Sequence, residues 1–135
     1  MEKDQLFWDQ VERRWLPEND DLERDAVQSV LIHLRRRIPQ EEAEHLFGQL
    51  PSSIGSLSLE PRLLQQEIEG GRPVDALDAP EFFRVVGSEL ETSDDIAEKA
   101  TEAVFGAVKR VLPIKETKHV AGLMPTELRK VWLRA

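Results

Sequence analysis

Two pairs of residues in this chain have types and spacing that could do chemistry: Glu42 with His45, and Glu116 with His119. A glutamate and a histidine three positions apart share one face of a helix. Glu-x-x-His on each of two helices is how di-iron and di-manganese carboxylate proteins supply part of their ligand set, together with one inward glutamate from each of two further helices. Those extra glutamates are missing here, because the long apolar helix offers alanine and valine. Glu42 and Glu116 then read as first-turn acids favoured by the positive end of a helix. His45 lies off the apolar stripe of Ala43, Leu46, Phe47 and Leu50, and His119 follows Lys118. Both rings are therefore expected on exposed rims, apart from each other, with no metal and no cofactor.

The other candidates have simpler readings. Arg35, Arg36 and Arg37 point in three directions around a helix and sit in its last turn, where cations complement the dipole, as do Lys109 and Arg110. His33, in a mostly apolar helix, reads as a packed and hydrogen-bonded side chain. No cysteine is present, which excludes disulfides, thiolate nucleophiles and cysteine-ligated metals. Glycine-rich phosphate loops, a serine nucleophile elbow and calcium-loop spacing are absent. Trp8, Trp15 and Trp132 read as core or core-edge, with Trp132 also a candidate contact residue.

A net charge of -8, concentrated in the N-terminal half, disfavours nucleic acid as a partner. The longest apolar-or-glycine run, Ala103 to Val108, is far short of the roughly 20 residues of a membrane span. The polar, charged start at Met1 predicts neither export nor organelle import, hence a cytoplasmic protein.

The elements that must position these residues form a repeat. Shifting the chain by 74 places sets Asp20 on Asp94, Asp21 on Asp95, Ala26 on Ala100, Val30 on Val104 and Arg36 on Arg110. The match continues with Pro39 on Pro113, Glu42 on Glu116, His45 on His119, Gly48 on Gly122 and Pro51 on Pro125. Each unit reads as four helices. The first carries Phe7, Val11 and Trp15, or Phe82, Val86 and Leu90, at helical spacing. The long second helix follows Asp20 or Asp94, with capping-box spacing at Asp20 and Glu23 and at Thr92 and Asp95. In the second copy Ile96, Ala100, Ala103, Val104, Ala107, Val108 and Val111 form a seam. Pro39 and Pro113 end that helix and open the third. Ser52 and Thr126 are the expected N-caps of the fourth. Between the units, Pro61 to Glu69 predicts one more short helix presenting Leu63, Leu64 and Ile68. The fold class is thus all-α: one compact domain over 1–135, with repeat one at 4–59, a linker with a short helix at 60–78 and repeat two at 79–133. The two long helices are expected to pack about a pseudo-two-fold axis.

The segments Ala26 to Pro51, AVQSVLIHLRRRIPQEEAEHLFGQLP, and Ala100 to Pro125, ATEAVFGAVKRVLPIKETKHVAGLMP, carry a resemblance to a bacterial family known as domain-of-unknown-function family 2267. The resemblance implies an all-helical, tandemly repeated domain without an assigned activity, and it supplies no catalytic residue. By elimination the leading functional reading is a non-enzymatic helical interaction or regulatory accessory module. Its expected partner is a protein, a second copy of the chain included, with Leu63, Leu64, Ile68 and Trp132 as contact candidates. The alternative is a metal- or small-ligand-binding domain that uses Glu42, His45, Glu116 and His119.

Overall fold

The computed structural model describes residues 2–59 and 78–135. Among them are eight α-helices, one 3-10 turn and no strand: α1 Lys3–Arg14, α2 Asp20–Arg37, α3 Gln40–Gly48, α4 Ser52–Gly55 with the 3-10 turn Ser56–Ser58, α5 Ala79–Glu89, α6 Asp94–Val111, α7 Ile114–Gly122 and α8 Thr126–Arg134. The linker helix and its Leu63, Leu64 and Ile68 lie outside the described residues. Prolines set the boundaries, since Pro39, Pro51, Pro113 and Pro125 each stand immediately before a helix.

The caps differ from expectation by small shifts with a common cause. Asn19, not Asp20, accepts from the Leu22 N–H at 2.8 Å, and Ser93, not Thr92, accepts from the Ile96 N–H at 3.2 Å. Several oxygen-bearing side chains cluster at each start, and the one with extended backbone just before the first turn takes the role. Ser52 and Thr126 lie inside their helices and cap nothing. Glu91 closes α5 in the left-handed region, with φ 54°, as Thr92 N–H donates to Gly87 C=O at 2.9 Å. That is a Schellman turn made without the usual glycine.

Helix α6 is the hub of the packing. It touches α2, as the expected pairing of long helices requires, but α1 lies against it most intimately, and α5 and α8 pack on it too. The unequal arrangement follows from side-chain size. Ala97, Ala100, Ala103, Gly106 and Ala107 are all buried and let neighbours approach α6 from several sides. At Gly106 a Cβ would fall 2.6 Å from Arg14 Cζ, the end of an α1 side chain. The predicted seam is buried except for Ile96, which is exposed, and it is wider than expected, since Thr101 and Phe105 are also fully buried. Phe105 lies 5.9 Å from Phe82 and 5.3 Å from Trp132, ring centre to ring centre.

One buried carboxyl makes this packing sensitive to pH. Glu23, in the first turn of α2, is almost fully buried, and its Oε1 has no hydrogen-bond partner. Burial first, then the charge and hydrogen bond of Glu12, then the charge of Asp20, push it from 4.5 up to about 7. The folded chain therefore keeps this proton at a pH where the unfolded chain has released it. The contribution of Glu23 to stability is greatest below about pH 4.5 and falls as pH rises through about 7. Urea titrations of the wild type should lose stability between pH 5 and 8 relative to Glu23→Gln. Parallel pH curves for the two proteins would exclude the buried proton.

Candidate functional site

Several polar groups that could have been functional prove to hold helices together. Asp78 caps its own helix through Ala79 N–H at 2.7 Å and also the start of α8 through Leu128 N–H at 2.8 Å and Glu127 N–H at 3.4 Å. Burial opposes its charge, but these three bonds and the nearby Arg37 hold its carboxyl below the usual range. Lys109 was expected to complement the dipole of its own helix. Its Nζ instead donates to Trp132 C=O at 2.7 Å and Ala135 C=O at 3.1 Å, closing the end of α8, while burial and then Arg14 push its pKa down. Arg129 does the same for α7 and the turn after it, through Ala121 C=O and Met124 C=O, both at 2.9 Å.

His33 is packed and hydrogen-bonded, as its sequence context predicts. Its Nε2 lies 2.7 Å from Glu89 Oε1, Ser29 Oγ donates to Glu89 Oε2 at 2.6 Å, and its ring stands edge-on to Phe82. Serine, histidine and glutamate together invite comparison with a nucleophilic triad, but the order is wrong. In a triad the histidine takes the serine proton and the acid orients the histidine. Here the carboxylate stands between them, so the cluster is a clip joining α2 to the end of α5. Burial would raise the Glu89 pKa, yet the bonds from His33 and Ser29 and the His33 charge outweigh that and hold it low. Trp132 is also structural: it is 1% exposed, and its Nε1 donates to Thr117 C=O at 3.0 Å. This burial fits the core reading of Trp132, whose ring stands edge-on to Phe105.

A further polar cluster lies between α3 and α7. Both helices begin after prolines and bury one short stripe each, Ala43, Leu46 and Phe47 on α3 and Glu116, Val120 and Ala121 on α7. They do not pack closely, and an open cleft of about 390 Å³ lies between them, lined by His45, Gln49, Pro113, Lys115, Glu116 and His119. Both histidines are exposed, as expected. Both line this one cleft, and His45 Nε2 meets Glu116 Oε2 at 3.3 Å, a pairing between the two halves that was not expected. A helical wheel places His45 beside the buried stripe but says nothing of what stands opposite. Glu116 is only 8% exposed, and its Oε1 has no hydrogen-bond partner. Glu42, its counterpart, is half-buried and does not line the cleft. Among the described residues no three His, Asp or Glu side chains are gathered tightly enough, as placed, to hold a metal ion. Gln49 and Lys115 were missed by sequence reasoning, and no motif marks them.

The family described as uncharacterised conserved protein, DUF2267, matches residues 4–131, which takes in all eight helices almost entirely. The chain belongs to the DUF2267 family. No curated protein matches it. The DUF2267 description assigns no activity, so the function has to be argued from the cleft. No helix among the described residues is long and apolar enough to cross a membrane.

Proposed function

We propose that this protein is a non-enzymatic binding module whose ligand site is the cleft between α3 and α7. The observation that carries the reading is Glu116, a buried carboxyl with one oxygen unpartnered, facing a cleft walled by two histidines. An unsatisfied buried polar atom costs about 1 to 3 kcal/mol, and a ligand that supplies its partner recovers that energy. Binding is favoured over turnover because the serine–histidine cluster at Ser29 and His33 is ordered as a clip. In proton–nitrogen correlation spectra, a set of small polar ligands and metal ions should shift the amides of residues 45, 49, 115, 116 and 119. Shifts confined to other surfaces would defeat the reading.

A second reading, a protein-interaction or accessory module, is supported by Leu16, Ile114 and Leu133, which are 86%, 75% and 63% exposed. Ile114 lies between the cleft residues Pro113 and Lys115, so a partner seated there would cover the cleft as well. We also infer that the chain is an internal duplication. In support, α2 and α6 begin 74 places apart and have 18 residues each, and α3 and α7 keep the same offset with 9 each.

A further inference from the structure

We propose that the α3–α7 cleft binds one divalent transition-metal ion of the zinc type, through His45 Nε2, a Glu116 carboxylate oxygen and His119. This rests on the binding reading above and names its ligand. The first support is distance. Ligand atoms about 2.0 to 2.1 Å from a tetrahedral zinc lie ~3.4 Å from one another. His45 Nε2 and Glu116 Oε2 are 3.3 Å apart, so two donors from different halves of the chain already span one edge of such a tetrahedron.

The second support is the buried carboxyl. Glu116 occupies a place in the buried stripe of α7 where an apolar residue would pack, and its Oε1 is left without a partner. A cation held beside Oε2 neutralises this carboxylate and offsets the cost of burying the acid. The third support is His119, which follows Glu116 by three positions on the same helix face and lines the same cleft. As placed, its ring does not complete a three-ligand group. It is exposed, so its ring can turn without repacking of the core, and the proposed site takes it in a different rotamer.

The donor set selects the class of ion. Two imidazoles and one carboxylate suit zinc and its neighbours, whereas calcium and magnesium require oxygen ligands and soft ions prefer sulfur. The fourth position faces the open cleft and would hold water. Lys115 on the same wall adds a like charge, so the site is weaker than a closed structural zinc site.

Calorimetric titration of the tag-free chain with Zn2+ tests this. The expected result is one ion per chain, no comparable binding of Ca2+, and visible absorption from a low-coordinate site with Co2+. His45→Ala, Glu116→Gln and His119→Ala should each weaken Zn2+ binding about tenfold or more, with circular dichroism showing that each variant still folds. Zn2+ affinity unchanged by all three would overturn the site, and affinity unchanged by His119→Ala alone would overturn the three-ligand assignment. No Zn2+ binding, with organic ligands still shifting the cleft amides, would refute the metal and keep the binding module. Loss of both would remove the cleft as a site.

Discussion

Phe105→Ala is expected to lower the free energy of unfolding by about 3 to 5 kcal/mol, the usual cost of emptying a phenylalanine site in a core. Phe105 has no exposed surface, and it lies on the hub helix α6 between Phe82 and Trp132. Truncation removes the middle ring of a three-ring stack, and the neighbours have little freedom to collapse because α6 is surrounded on several sides. Domains of this size are stable by only about 5 to 15 kcal/mol, so the variant should unfold at a much lower urea concentration. Phe105→Leu, which keeps most of the volume, should recover more than half of the loss. Unfolding followed by tryptophan fluorescence and by circular dichroism measures both variants. A loss under about 1 kcal/mol for the alanine variant would mean that the centre of the core lies elsewhere.

Asp78→Ala should cost about 2 kcal/mol, roughly twice the typical value for one cap, because this carboxylate caps both α5 and α8. The effect should depend on pH in a defined direction. The folded-state pKa of Asp78 lies below its ordinary 3.8, so its contribution is present above that value and is lost as pH falls through the folded pKa. The gap between wild type and Asp78→Ala should therefore be constant from about pH 5 to 8 and should close in stronger acid. A gap that is absent at neutral pH would show that water caps these helix starts equally well. A gap that persists unchanged in acid would mean that the uncharged carboxyl is enough.

The two predictions lie at different depths of what the sequence makes legible. Phe82 is placed in the core by its spacing with Val86 and Leu90. Phe105 was overlooked because it lies beside the expected seam, and its burial depends on small residues that admit neighbours around the whole of α6. The position of Asp78 at a helix start is readable, since the Pro80 that follows suits a first turn. Its second bond, to Leu128 some 50 positions away, is not, because it depends on where α8 comes to rest.

The local part of this protein is legible in its residues: helices and, among the described residues, no sheet, boundaries within about a residue of the prolines, the family, and which histidines face solvent. Those properties follow from backbone restrictions at proline and from the helical period, and both act within a few residues. Which groups meet is a matter of how the helices come to lie against one another. Lys109 closes α8 rather than its own helix, Glu89 ties Ser29 and His33 together, and His45 of one half meets Glu116 of the other across an open cleft. The physical reason is that these contacts depend on helix placement, which is set by the sum of many weak packing terms across the chain and leaves no signature at the residues it brings together.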